Sequence, residues 1–264
     1  MSILKRSLAP IVSEAWDAID DQARKVLKGA LSARKVVDVK GPMGWTYSAV
    51  SLGKLGDVKE ADKGLKWCSR QVLPLLELRI PFTLKKWELD DISRGDNATD
   101  FAPLIEAAQA LAKFEDEAVY HGLSEAGIAG MAESADNEAL DASLDADSLV
   151  EAAAEAVGVL NARAVEGPYA LVCCRKLWNA IQTNGDDYPL KKRLSKIVDS
   201  VILAPQSSVC MVVSLRGGDS ELTLGQDIAV GYESSCGDDV KFYLTESFTF
   251  RVVAPESIVP LAIK

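Results

Sequence analysis

One histidine serves the whole chain of 264 residues. A His-based metal site, or a Ser-His or Cys-His relay, therefore has only His121 to draw on, and much enzymology falls away. Basic charge is also short. Lys and Arg total 29 against 39 Asp and Glu, a net charge of -10, which leaves no cationic surplus for phosphates and excludes nucleic acid as the main partner. No run of about 18 apolar residues is available to span a bilayer. The opening Met1-Ser2-Ile3-Leu4-Lys5-Arg6 lacks the apolar stretch of a signal peptide, so a cytoplasmic protein without a membrane partner is expected. Cys68, Cys173, Cys174, Cys210 and Cys236 are odd in number and show no C-x-x-C spacing. Reduced, mostly buried thiols follow, with no metal site. Neither G-x-G-x-x-G after a strand nor G-x-x-x-x-G-K-[ST] occurs, which removes phosphate-cradling loops.

What is present is a core: 48% of residues are apolar and 26% charged, enough for one large folded unit or two small ones. Ser13 is placed to cap a helix in which Trp16, Ile19, Ala23, Val26 and Ala30 recur at helical spacing. Arg34 to Val39 reads as a short strand, broken by Gly41-Pro42-Met43-Gly44, and residues 46–72 read as an extended arm. From Leu76 the period becomes two. Leu76, Leu78, Ile80, Phe82 and Leu84 share one face, and Pro81 marks an edge or a bulge. Thr99 or Asp100 caps a helix with Phe101, Leu104, Ile105, Ala108, Leu111 and Ala112 on one side, a structural spine.

Between Lys113 and Arg163 there is no Lys or Arg, and the stretch 132–147 is small and polar, a loop at a domain boundary. A second, mixed domain follows. It has a helix through Leu149, Ala152, Ala156, Val159 and Leu160, a buried strand at Pro168 to Cys173, and a short helix around Leu177, Trp178 and Ile181. The last third is rich in strands. Phe242, Leu244, Phe248, Phe250 and Val252 alternate with Tyr243, Thr245, Ser247, Thr249 and Arg251, and at roughly 3.3 Å per residue this strand extends about 40 Å. Such lengths suggest a flattened, extended subunit.

Several constellations have bland readings that serve better. Ser124 lies near His121, but Gly122-Leu123-Ser124-Glu125-Ala126-Gly127 is not a nucleophile elbow. Asp141, Ser143 and Asp145 hold three positions of a calcium loop, yet Ala146 and Ala152 stand where Gly and Glu are needed. Gly217-Gly218-Asp219 reads as a hairpin turn. Trp87 reads as a packing or interface residue, with flavin stacking as the alternative.

The segments Leu4-Lys5-Arg6-Ser7-Leu8-Ala9-Pro10, Ala33-Arg34-Lys35-Val36-Val37-Asp38-Val39, Gly41-Pro42-x-Gly44-Trp45, Trp87-Glu88-Leu89-Asp90, Phe114-Glu115-Asp116-Glu117, Glu166-Gly167-Pro168-Tyr169, Tyr188-Pro189-Leu190, Gly225-Gln226-Asp227 and Thr245-Glu246-Ser247-Phe248-Thr249-Phe250 together resemble the encapsulins over nearly the whole chain. The resemblance implies an α+β, Hong Kong 97 phage capsid-like fold. Its peripheral domain would be built from 1–45 with the first helix, 73–125 with the spine and the C-terminal strands 227–264. An extended loop would occupy 46–72 and an axial domain 126–226.

It implies a non-enzymatic shell subunit that self-assembles into an icosahedral nanocompartment around a cargo enzyme, a ferritin-like iron oxidase or a dye-decolourising peroxidase. Iron storage and oxidative-stress roles would follow. Carried over by position, Asn184, Gly185, Asp186, Asp187 and Tyr188 would line a five-fold pore. Leu27, Leu31, Val36 and Val230, with Arg34 and Asp38 as polar clamps, would form a groove for a C-terminal targeting peptide on the cargo. No resident cofactor is expected, flavin at Trp87 being the exception. A phage major capsid protein shares the fold and is the structural alternative; a secreted bacteriocin or protease is a third reading, opposed by the single histidine.

Overall fold

The computed structural model describes residues 3–183 and 188–264. In chain order its elements are α1 (Ser13–Ala30), β1 (Asp38–Lys40), β2 (Ala49–Leu55), β3 (Lys59–Glu60), β4 (Lys66–Trp67), β5 (Arg70–Pro74), β6 (Leu76–Lys85), α2 (Lys86–Ser93) and α3 (Ala102–Tyr120). There follow α4 (Met131–Ser134), β7 (Leu140–Ala142), α5 (Ala146–Ala162), β8 (Tyr169–Cys174), α6 (Arg175–Thr183) and α7 (Leu190–Leu194). The chain ends with β9 (Ser200–Ala204), β10 (Met211–Ser214), β11 (Ser220–Leu224), β12 (Ala229–Cys236), β13 (Asp239–Val252) and β14 (Ile258–Ile263). Among the described residues these strands form two five-stranded sheets and two small ribbons.

The long alternating strand β13 organises the first sheet. β11 and β12 pair along one side of it and β6 along the other, with β1 added parallel to β11. Pro81 lies opposite Tyr243 on β6, an edge strand among the described residues, where a missing N–H costs least. The even-numbered face of β13 turns to the helices. Phe242 stacks on Phe82 at 5.5 Å between ring centroids and meets Trp16 edge-on at 5.4 Å. Ala15, Ile19, Ala23 and Leu27 of α1, one residue per turn, close this core together with Leu104, Ala108 and Leu111 of α3.

The second sheet runs β7-β14-β10-β8-β9. Alternation in β8 divides its faces: Leu171 and Cys173 pack under α5, α6 and α7, whereas Ala170 and Val172 join Val119, Tyr120, Phe248 and Phe250. The two sheets therefore share a core at the end of α3.

Several expectations change. Residues 33–35 form a 3-10 turn rather than the start of a strand, because the Asp116 carboxylate accepts from the backbone N–H groups of Ser32 and Ala33 and from the Ser32 hydroxyl. Gly217 and Gly218 make no hairpin. β10 and β11 belong to different sheets, and the two glycines, at φ 86° and 83°, carry the chain across while Gly218 N–H donates to Asp38.

Sheet membership also crosses the expected boundaries. β11, before residue 226, pairs with β13, and β14, after 227, pairs with β10 and β7. The stretch 132–147 contains part of α4 and β7, and several of its carboxylates have partners. Asp145 caps α5 through Ser148 N–H, Asp141 pairs with Lys264 and Asp147 with Arg193. Ser13 begins α1 without capping it by its side chain, and Asp100 accepts from Ala102 N–H at the start of α3. The arm 46–72 leaves the body as the β2–β5 ribbon with β3–β4 beyond it. Leu55, Val58, Leu65, Trp67 and Val72 are exposed along this ribbon.

Candidate functional site

Where α1 ends beside β12 there is a hollow of about 490 Å³. Leu27 and Leu31 stand one turn apart on its helical side, and Ile228 and Val230 face them from the incoming strand. Arg34 and Asp227 lie at its polar end, and the exposed Lys28 is on the rim. Four of the six groove residues expected from the sequence, Leu27, Leu31, Arg34 and Val230, are therefore together. The other two are elsewhere. The 3-10 turn at Ala33–Lys35 swings Val36 and Asp38 into a separate hollow of about 170 Å³ that they share with Met131, Val213 and Gly217. Leu27, Leu31 and Val230 are nearly buried even with the hollow open, so they form its floor rather than projecting walls.

Arg34 and Asp38, the two polar clamps expected from the sequence, are thus apart, and the Arg34 guanidinium has other partners. Nε and Nη2 donate to Glu115 of α3, Nη2 also donates to Glu246 of β13 at 2.5 Å, and Nη1 donates to Asp227 at 2.9 Å. Glu115 and Glu246 are both 0% exposed, and Asp227 is 47% exposed in its side chain. Burial alone would lower the Arg34 pKa, but hydrogen bonding to Glu115 and the charges of Glu115 and Glu246 raise it. Burial, then the charge of Glu115, pushes Glu246 well above the ordinary carboxylate range. Beside them burial pushes Asp116 up to about 6, opposed by the hydrogen bonds from Ser32 and Ala33.

This buried cluster was missed in the sequence, although a signal was there. Glu246 interrupts the apolar face Phe242, Leu244, Phe248, Phe250, and Glu115 follows Leu104, Ala108, Leu111 and Ala112 on the buried face of α3. A carboxylate on a core face needs a cation or a proton.

Of the expected pore residues, Asn184, Gly185, Asp186 and Asp187 lie outside the described residues. Tyr188 is 47% exposed, with the ammonium groups of Lys192 and Lys196 at 6.0 and 5.4 Å from its ring centroid. Trp87 is 70% exposed on the first turn of α2. An indole this open offers a flat ring little enclosure, so Trp87 does not by itself make a flavin site.

His121 Nε2 is 3.0 Å from Ser207 Oγ, and Glu117 is 3.8 Å from that same nitrogen. A relay needs the carboxylate on the other nitrogen. Burial pushes the Cys210 thiol up to about 12 and raises Cys173 as well, which keeps both in the unreactive thiol form. Among the described residues no group of His, Cys, Asp or Glu is arranged to hold a metal ion, and no helix is long and apolar enough to cross a membrane.

Residues 1–249 match the model of the Linocin_M18 family, described as encapsulating protein for peroxidase. The chain is 42% identical to the type 1 encapsulin shell protein of Rhodospirillum rubrum, with 99% of this chain and 96% of that one covered. It is 38% identical to that of Brevibacterium linens over the full length of both. It is 37% identical to that of Mycobacterium tuberculosis, over 99% of this chain and 100% of the relative. Among solved structures it is similar to a virus-like particle from Pyrococcus furiosus, with a TM-score of 0.66 at 19% identity covering 93% of this chain and 98% of that chain. It also resembles the capsid of Myoviridae phage XM1, with a TM-score of 0.54 at 14% identity over 88% and 91%. At such identities these two likenesses speak to the fold alone, which is the capsid-like α+β fold of the Hong Kong 97 phage type.

Proposed function

The chain belongs to the encapsulin shell-protein family, and from that membership we propose that its copies close into an icosahedral compartment that holds a cargo enzyme against the inner wall. The cargo reading rests on one observation: the hollow between α1 and β12, with an apolar floor of Leu27, Leu31, Ile228 and Val230 and a polar end at Arg34 and Asp227. An extended peptide places alternate side chains in such a floor and meets charge at one end, which fixes its register. Val36 and Asp38 drop out of this groove because they line the other hollow.

The guest of this proposal is a ferritin-like iron oxidase or a dye-decolourising peroxidase, and the family description names a peroxidase. The chemistry, whether iron storage or defence against peroxide, is then the guest's. Residues 184–188 are proposed to line a pore for small ions, with Asp186 and Asp187 as its carboxylates. No step is assigned to a flavin.

Ile228→Asp tests the groove. Ile228 is only half-buried, so the change puts a charge into the floor while sparing the core beneath. Closed shells by electron microscopy, emptied of the cargo that co-purifies with the unaltered protein, are the expected result. Undiminished loading removes the groove from the account, and loss of the shells themselves calls for the milder Ile228→Ser.

A further inference from the structure

The Arg34 cluster holds more negative charge than its one cation balances. Glu115, Glu246 and Asp227 all reach the same guanidinium, and the first two are fully buried. Two ionised carboxylates sharing one cation away from water repel each other strongly.

One atom shows how the repulsion is relieved. Glu246 Oε1 accepts from Arg34, but Glu246 Oε2 is buried and nothing donates to it. An ionised carboxylate offers only acceptor oxygens, so this one would be stranded; a protonated carboxyl turns it into a donor. Glu115 Oε2 and Glu246 Oε1 both accept from the same Arg34 Nη2, at 2.6 and 2.5 Å, so the two carboxyls are side by side and Glu115 is the acceptor at hand. We infer that Glu115 and Glu246 hold one proton between them, Glu246 donating to Glu115, and that this proton fastens the end of α1 and the Ala33–Lys35 turn to α3 and β13. The inference does not depend on what fills the groove.

The groups that face the pair are few. From the 3-10 turn comes Arg34, from α3 Asp116 beside Glu115, and from the segment leading into β12 Asp227. On β6 the register partner of Glu246 is the uncharged Leu78. In the folded chain Glu246 keeps its proton to a higher pH than when unfolded. The folded state therefore binds more protons, and the latch is strongest at low pH and weakens as pH rises through the folded-state titration. Asp116, pushed up to about 6, adds a dependence of the same sign that is complete by about pH 7.5, so work above that pH leaves the Glu246 contribution.

Hydrogen exchange across residues 25–35 of the assembled protein, followed from about pH 7.5 to 9.5 and corrected for chemical exchange rates, reads the latch directly. Unaltered protein should lose protection by up to about tenfold per pH unit while Glu246 stays protonated in the folded state, and level off once it ionises there. Glu246→Gln, whose amide donates to Glu115 at every pH, should remain flat. Parallel profiles in the two proteins, or a flat profile in the unaltered one, overturn the inference. Should Glu246→Gln fail to fold, infrared spectroscopy of the unaltered protein decides. A carbonyl stretch of a neutral carboxylic acid must be present at about pH 7.5 and fade at higher pH, and its absence overturns the shared proton.

Discussion

At the scale of single residues the chain places charge where it is costly and then compensates it. Arg34 lies 81 residues from Glu115, 193 from Asp227 and 212 from Glu246. No local pattern announces their meeting, although the two core-face carboxylates were visible as breaks in apolar stripes. Arg34 and Asp38 were expected as clamps of one groove, but the turn that Asp116 imposes from across the core puts them in different hollows. Breaking the cluster by removing the arginine would strand buried charge, whereas the exposed pairs elsewhere, such as Arg24 with Asp21, contribute little.

The proposed pore carboxylates belong to this scale too. Five copies of Asp186 and Asp187 at one opening would raise the local concentration of cations, in competition with the Lys191, Lys192 and Lys196 side chains that follow Tyr188. Asp186→Asn with Asp187→Asn should slow iron uptake by filled shells several-fold at low salt. The difference should shrink as salt is added, since exposed charge is screened within about 8–10 Å. An unchanged uptake rate removes these carboxylates from the pathway.

Among elements, legibility followed period and length. The ten-residue β6 and the fourteen-residue β13 were readable from alternation, and α1, α3 and α5 from helical stripes. β1 and β7 are three residues each, too short for any period to declare itself. Gly217-Gly218 was misread because turn chemistry is the same whether the flanking strands pair with each other or depart to different sheets.

The arm falls between these cases. Its exposed Leu55, Val58, Leu65, Trp67 and Val72 look wasteful in a lone subunit, and a two-stranded ribbon is marginal by itself. Its order is accounted for if it lies on a neighbouring copy, where that apolar surface is covered. Deleting residues 50–66 should therefore leave the two sheets folded and abolish closed shells. Intact shells of the shortened chain under the electron microscope would contradict this.

For the molecule as a whole, the family and its fold were legible because blocks spread from Leu4 to Phe250 occur together in order. The distribution of strands between sheets was not, since β11 and β14 are placed by pairing with β13 and β10 rather than by position in the chain. Both sheets end on strands paired on one side only among the described residues, β1, β6 and β12 on one and β7 and β9 on the other. Open edges need cover, and a self-assembling shell supplies it from neighbouring copies.

Cryo-electron microscopy of particles purified from the host in which the chain is made tests the central claim most directly. The account predicts hollow, closed particles built from this chain alone, with a guest enzyme inside and a peptide segment seated between α1 and β12. Isolated subunits at high protein concentration, or closed particles whose α1–β12 hollow is vacant while the guest is bound at another place, would contradict it.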